Sequence, residues 1–509
     1  MVSWSVILLA ATALYLAYAW LKRRMAYFEE RGIPYLRGVP PFGNMFDTFI
    51  RRKHFNDVIR DIYNVNPEAR YVGGFDFMRP VIVLRDPELI KDVTIKHFDN
   101  APDHKSFIDD TVDPLFGGNL FNMAGDRWRE ARGMLSPAFT SSKMKQMFEL
   151  ILSCSKNFAA HLESLPASQR KMVSTKDLFT KYTCDCIATS AFGVSVDSLK
   201  NPDNEFYRYG REATNFEGLK MLMFFLLRAA PKLMKILQVR FVSDRVRDFF
   251  TNVVHSTVEA RDTKGFSRPD MIQLMMDSRG KQLKHLGAID MTYMTSQAFI
   301  FFFGGFDTTS TQMCIIAHEL AINEDTVQKR LQEEIDRVLE SSNGEPTYDA
   351  INAMAYLDAV FNESMRRHTQ VGLLDRLCRR SFELPPALPG GKPFLVEPGM
   401  NIWVPTSAIH RDPKYYPDPE RFDPDRYYEK KVTINDTLNL GFGIGPRSCI
   451  GNRFAILETK ILLFFLLAKF TLKANEKTSS PMRYDKKTFA LKAEGGFWLD
   501  IEPRKLGAS

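Results

Sequence analysis

The ten residues Phe442-Gly443-Ile444-Gly445-Pro446-Arg447-Ser448-Cys449-Ile450-Gly451 constrain the fold more than any other stretch of the chain. Two glycines and a proline specify a tight turn that few backbones can follow. The apolar, periodic run Phe454 to Ala468 comes directly after, so Cys449 is placed at the N-terminus of a helix. Free backbone N–H groups and the helix dipole favour an anionic sulfur there. A lone cysteine is more often an inert buried hydrophobe than a ligand, so spacing alone leaves its role open. A dinucleotide-binding loop is the competing reading, from Gly441, Gly443 and Gly445. It fails because Pro446 and Arg447 occupy the turn and the third glycine of GxGxxG is missing.

The other cysteines, Cys154, Cys184, Cys186, Cys314 and Cys378, form no CxxC pair. That argues against a zinc or thioredoxin-like site, and 509 residues with six cysteines make no disulfide framework. The net charge is +7, with no concentrated basic stripe of the kind nucleic-acid binding requires. Forty phenylalanines against five tryptophans point to a core or cavity with much flat apolar surface.

Val2 to Leu21 is apolar and uncharged, and Lys22-Arg23-Arg24 follows at once. About 20 such residues are enough for a helix to cross a bilayer, and the basic residues after it keep the body on the cytosolic side. A cleaved secretory signal is the alternative, since Ala17-Tyr18-Ala19 fits a small-x-small site. No basic residue precedes the run, however, and the charges behind it act as a stop, which favours an anchor. The expected organisation is an anchor over 1–21, a basic, proline-rich and stiff hinge over 22–45, and one domain over 46–509.

Within that domain, Tyr71 to Val83 reads as strands around a Gly73-Gly74 turn. Arg127 to Leu339 is mostly helical by apolar periodicity. Ile289 to Asn323 predicts one helix of about 34 residues, ~50 Å long. Its Ala298–Phe306 part is apolar all round and so belongs in the core. A small β region is expected between Phe382 and Pro405, which makes the fold mainly α with a smaller β part. Met221 to Val242 is either an apolar surface loop dipping into a membrane or plain core packing. Inside the long helix lies Gly304-Gly305-Phe306-Asp307-Thr308-Thr309. Two interior glycines cost about 1 kcal/mol each relative to alanine, which implies that something approaches the backbone closely. The hydroxyls after them either bond back to the preceding turn or serve chemistry.

Taken together, these stretches resemble the cytochrome P-450 family. The decapeptide matches its Phe-Gly-x-Gly-x-Arg-x-Cys-x-Gly loop at every fixed position, and the likeness covers essentially the whole chain after the anchor. The resemblance implies a long central helix over a haem b group, with Cys449 as the thiolate ligand to iron, whose electron push favours O–O cleavage. It makes Phe442 a shield for the sulfur and Arg447 a partner of a haem propionate. Glu363 and Arg366 match ExxR, residues that share a helix face. With Arg421 of Pro419-Glu420-Arg421-Phe422 they imply a buried structural network. Trp128 and Arg132 match WxxxR, and Arg376 matches another propionate-binding position, for which the arginine fork is suited. Gly304 to Thr309 resembles the (A/G)GxxT oxygen-activation motif. There the glycines leave room for O2, while Asp307 and Thr308 organise proton delivery, worth about 10²–10⁴-fold. One departure stands out: no proline follows Arg366-Arg367-His368-Thr369-Gln370, so the loop before Leu373 is expected to take its own path.

Trp128 to Phe148 and Leu374 to Arg380 look most like the microsomal, xenobiotic-metabolising branch, and the Gly304–Ser310 stretch is reminiscent of its insect members. The resemblance implies O2-dependent oxidation of lipophilic xenobiotics, such as insecticides or plant compounds. Electrons would come from NADPH-cytochrome P-450 reductase, with cytochrome b5 as a second candidate donor. The location implied is the endoplasmic reticulum membrane, with the catalytic domain facing the cytosol. Arg127, Arg129, Lys143, Lys145 and Arg453 lie where an acidic partner would dock. The expected substrate pocket draws on Phe107, Phe116, Phe121, Phe299, Phe302, Phe303, Leu373, Leu374 and Phe497, although most phenylalanines must be core. The alternatives are a haem-thiolate isomerase or dehydratase needing no electron partner, an endogenous lipid or hormone hydroxylase, and a non-catalytic haem sensor. The Asp307-Thr308 pair favours the monooxygenase.

Overall fold

The computed structural model describes residues 4–106, 108–268, 270–280, 283–430 and 438–504. Phe107 lies outside the described residues. Helices dominate and the sheets are small, as the periodicity predicts. The chain divides into two compact units. The first is Met1–Lys105, Val371–Pro417 and Asn435–Ser448; the second is Ser106–Gln370, Asp418–Ile434 and Cys449–Ser509.

In the first unit, Trp4–Met25 forms a helix long and apolar enough to cross a membrane, with a mean hydropathy of 1.7 in its most apolar stretch. Lys22, Arg23 and Arg24 belong to its last turn, where positive charge suits the helix dipole. The helix therefore runs into the segment expected to be hinge. The remainder of that segment is docked rather than free: Gly73 N–H donates to Pro34 O at 2.8 Å, and Leu36 N–H donates to Gly73 O at 3.1 Å. Asn44 fastens the end, accepting from Phe75 N–H at 2.7 Å. Tyr71–Asp76 and Arg79–Leu84 pair antiparallel, so the two-strand reading holds. The turn, however, sits at Phe77-Met78, and Gly73 lies inside the first strand. A Cβ on Gly73 would stand 2.5 Å from the Phe28 ring, so glycine is required there by packing rather than by a bend. Asn401–Val404 adds in parallel to Arg79–Leu84, and Leu374–Leu377 completes the four-stranded sheet antiparallel. This places Arg376 on a strand with its side chain fully buried.

The second unit is built on helices. The long helix is present, but in three parts: an α-helix Met291–Phe303, a wide π turn Gly304–Thr308, and an α-helix Thr309–Ile322. Every residue from Thr309 to Ala321 is buried, polar side chains included, whereas the all-apolar part Ala298–Phe306 buries Ala298, Phe299, Phe302 and Phe306 and leaves the others half-buried. The two glycines begin the wide turn and split the expectation placed on them. A Cβ on Gly305 would meet Ile187 Cδ1 at 3.0 Å, so Gly305 serves the packing of helix Thr175–Ile187. Beyond its own helix, Gly304 has no described protein atom within 4 Å of the Cβ position. The stretch Met221–Val242 is partly core and partly exposed apolar surface. Helices Leu219–Ala229 and Pro231–Ile236 bury Met221, Phe225, Leu227 and Met234, yet Leu219 is 78% and Ile236 77% exposed.

The helix after Cys449, Asn452–Lys469, buries an almost unbroken row from Leu457 to Leu467 that includes Glu458. Among the described residues neither carboxyl oxygen of Glu458 accepts a hydrogen bond of good geometry, with the Cys186 thiol close by and acting against the shift. Burial, reinforced by nearby Cys154, pushes this acid well above its ordinary pKa of 4.5. A folded-state pKa above the unfolded value means the cost to stability is absent below the unfolded pKa and grows as pH rises toward the folded one. Glu458→Gln is therefore expected to stabilise the protein, by about 1–3 kcal/mol at most. The gain in Tm should be larger at alkaline than at mildly acidic pH in a thermal-melt series.

Candidate active site

Cys449 is the exposed member of the six cysteines; four others are buried and Cys154 is half-buried. It is nonetheless deep among neighbouring atoms, and that desolvation pushes its thiol above the usual value, while Gly451 N–H and the Arg132 guanidinium act in the opposite sense. A sulfur that is accessible yet desolvated can be reached by a group that brings its own ligands. Arg132 lies on helix Gly125–Leu135, one turn after the buried Trp128. Desolvation lowers its pKa, with Cys449 opposing, and among the described residues its side chain has no carboxylate partner. A half-buried, desolvated guanidinium in that state fits an anion brought by a ligand. Among the described residues no group of three His, Cys, Asp or Glu side chains could hold a bare metal ion. One open sulfur suits instead a metal that arrives with its other ligands attached, and an acidic substituent would satisfy Arg132. The residues present fit haem.

The Glu363–Arg366 pair is fully buried, with Nε and Nη2 on one edge of the guanidinium donating to the two carboxylate oxygens at 2.7 and 2.8 Å. Arg366 also donates to Pro419 O at 2.9 Å and Arg421 O at 3.2 Å. Asp423 N–H donates to Glu363 at 2.8 Å. The expectation that Arg421 joins this network by its charge is corrected here. Arg421 is exposed and contributes its carbonyl; the second buried guanidinium is Arg426, 3.4 Å from Glu363. Arg426 was missed because Asp425-Arg426 reads as an ordinary surface pair. Its only local signal is Pro424, which starts the short helix Asp425–Tyr428.

On the central helix, Thr308 is exposed and its hydroxyl donates to Gly304 O at 2.6 Å. Asp307 is held by Lys176, at 2.9 Å to its carboxylate and 3.0 Å to its carbonyl. The same ammonium donates to Ser310 Oγ and Thr311 Oγ1, each at 2.7 Å. Lys176 carried no sequence signal, because its partners are more than a hundred residues away.

In the first unit, Gly443 and Gly445 both take positive φ, and a Cβ on Gly445 would stand 2.5 Å from Thr94 O. Arg447 is buried and already paired: it donates to Pro102 O at 2.9 Å and Asp103 at 3.0 Å. Burial lowers its pKa to about 9 against the pull of Asp103. Arg376 donates to Asp375 O at 2.7 Å and Ile444 O at 3.0 Å. Its Nε has no partner, and burial lowers its pKa to about 10. Phe442 is half-buried in the same loop. Leu373 and Leu374 are half-buried, with Leu374 Cδ2 3.8 Å from the Cβ position of Gly443.

The phenylalanines separate by environment. Phe116, Phe299 and Phe303 form one cluster, with Phe116 5.7 Å from Phe303 and 6.4 Å from Phe299. Phe302 is turned into the core against Phe192, Phe206, Phe250 and Phe306, where it fills volume rather than lining a pocket. Phe121 is 52% exposed and Phe497 is buried.

Residues 34–499 match the cytochrome P-450 family. The chain is 46% identical to cytochrome P-450 9e2 of Blattella germanica, over 94% of each protein. It is 37% identical to probable cytochrome P-450 9f2 of Drosophila melanogaster, over 98% of this chain and 99% of that one. With cytochrome P-450 6a2 of Drosophila melanogaster the identity is 34%, over 97% and 98%. The chain belongs to the cytochrome P-450 family. It is a monooxygenase that uses haem b, O2 and electrons delivered by a reductase.

The corrected network predicts a split. Glu363→Ala strands the buried Arg366 and should cost about 3–5 kcal/mol, read as loss of haem-loaded protein on expression. Arg426→Ala should destabilise measurably, whereas Arg421→Ala keeps the carbonyl and should stay within about 0.5 kcal/mol of the parent in denaturant titration.

Proposed function

We propose that Cys449 is the protein ligand to the haem iron, that Trp128, Arg132, Arg376 and Arg447 hold the propionates, and that Asp307 and Thr308 manage the proton. The observation that carries this reading is the one open sulfur, set beside a desolvated Arg132 with no carboxylate partner. Haem held by a thiolate supplies O2 activation, in which one oxygen atom enters the substrate and the other leaves as water. The chain's own residues supply the rest. Phe442 is the residue that the family's loop motif assigns to shielding the sulfur. Gly304 leaves space next to the helix, and Thr308, exposed one turn later, presents a hydroxyl whose proton rests on Gly304 O. Asp307, clasped by Lys176 with Ser310 and Thr311 on the same ammonium, is the acid assigned to resupply that hydroxyl. Lys176 and Asp307 are each 22% exposed, so water reaches the pair.

The substrates proposed are lipophilic xenobiotics, insecticides and plant compounds among them, received against the half-buried ring of Phe303 beside Phe116, with Phe299 fully buried behind them. The helix Trp4–Met25 anchors the enzyme in the endoplasmic reticulum membrane. NADPH-cytochrome P-450 reductase, with cytochrome b5 as a further donor, docks on Arg127, Arg129, Lys143, Lys145 and Arg453. Several of these are already paired on the surface, Arg127 with Asp110 and Lys145 with Asp349; steering by exposed cations such as these weakens with salt.

Cys449→Ala is expected to abolish the red-shifted Soret band of the reduced, carbon monoxide-treated protein; its persistence would overturn the ligand assignment. Thr308→Ala and Asp307→Asn should lower kcat by about 10²-fold or more with little change in KM, and divert NADPH electrons to hydrogen peroxide. Unchanged coupling in both would remove them from the proton route.

A further inference from the structure

The segment after the Glu363–Arg366 helix carries Thr369 where the family often has proline, and the hydrogen bonds show what replaces the ring. Thr369 Oγ1 donates to Met365 O at 3.0 Å and Arg366 O at 3.1 Å, taking up carbonyls of the last helical turn. His368, just before it, bonds Glu319 at 2.7 Å and Tyr484 at 2.8 Å, so the segment is tied to the far end of the central helix. Gln370, just after it, reaches the middle of the same helix. Its Nε2 donates to Thr308 O at 2.9 Å and to Gln312 Oε1 at 3.0 Å. The buried Gln312 in turn donates to Ser364 Oγ, and Ser364 to Phe361 O. A continuous line of hydrogen bonds therefore joins the buried Glu363–Arg366 helix to Thr308, the residue that ends the wide turn.

A π turn interrupts the regular hydrogen-bond register of a helix, so a donor from outside the helix has more to stabilise there than on a uniform α-helix. Thr308 O is the last carbonyl of that turn, and the Thr308 hydroxyl rests on its first, Gly304 O. Fixing one end fixes where the hydroxyl stands. We propose that Gln370 is a positioning residue for oxygen activation: its amide holds the Thr308 backbone, and through it the Thr308 hydroxyl, in the geometry that delivers a proton. The inference rests on the reading of Thr308 as a proton-delivering residue. Gln370 itself touches no reacting atom.

The test uses full-length, haem-loaded enzyme with reductase in phospholipid vesicles and ethoxycoumarin as probe, comparing Gln370→Leu, Gln370→Glu and Gln370→Lys. Leucine and glutamate cannot donate to Thr308 O; lysine can. Hydrogen–deuterium exchange at the amides of 304–312 should quicken about three- to tenfold in the Leu and Glu variants, the loss expected for one neutral hydrogen bond. Peroxide released per NADPH should rise roughly twofold or more and the solvent deuterium isotope effect on kcat should change, with KM within about twofold of the parent. Gln370→Lys should restore most of the parental exchange and coupling. The red-shifted Soret band should persist in all three. Exchange and coupling unchanged in both the Leu and Glu variants would overturn the proposal. So would loss of the Soret shift in both, which would make Gln370 an ordinary fold residue. An unchanged peroxide share in Thr308→Ala would instead overturn the reading of Thr308, since the Gln370 variants would then speed exchange without altering coupling.

Discussion

Glu363 and Arg366 stand one helical turn apart, and solvent reaches neither side chain. Such a pair does not stabilise by charge attraction alone, because removing two ions from water costs several kcal/mol each. It is tolerable here because the remaining donors and lone pairs are used: the carbonyls of Pro419 and Arg421, the amide of Asp423 and the guanidinium of Arg426 close around it. The pair thereby draws the 418–426 segment onto helix Ala355–Arg367. It also orients the neighbouring Ser364, which receives Gln312 from the central helix. The second unit is organised outward from this one desolvated contact.

The same logic separates the arginines near the proposed haem site. Burial lowers the pKa of Arg132, Arg376 and Arg447 alike. Arg447 is compensated by Asp103, and Arg376 mainly by backbone carbonyls. Among the described residues Arg132 has no carboxylate beside it, and the sulfur of Cys449 is what opposes its desolvation. Three arginines assigned one role by motif thus sit in three electrostatic states.

Much of this was legible in the chain because the chemistry imposes local patterns. A tight turn before a helix requires glycine and proline at fixed spacing, and Gly443, Gly445 and Pro446 supply them. The mainly helical class and the long central helix followed from apolar periodicity. What stayed hidden depends on partners distant in sequence. Gly73-Gly74 looks like a turn until Phe28 is seen against Gly73, and Arg421 looks like the buried arginine until Arg426 is seen at Glu363. The wide turn at Gly304–Thr308, the Lys176 clasp on Asp307 and the Asp103 partner of Arg447 likewise have no local signature. Phe302 and Phe303 are adjacent and identical in type, yet one fills core and the other joins the Phe116 cluster, a distinction set by helix rotation alone.

The two short helices Leu219–Ala229 and Pro231–Ile236 bear on how the enzyme can be handled outside a bilayer. Deleting Trp4–Met25 removes the long apolar helix but leaves Leu219, Leu222, Leu226, Leu233, Ile236 and Leu237 facing outward. Apolar side chains grouped in this way make a sticky patch rather than ordinary scattered exposure. A shortened protein would still demand detergent and partition to micelles, because its greasy surface comes from two separate stretches of chain.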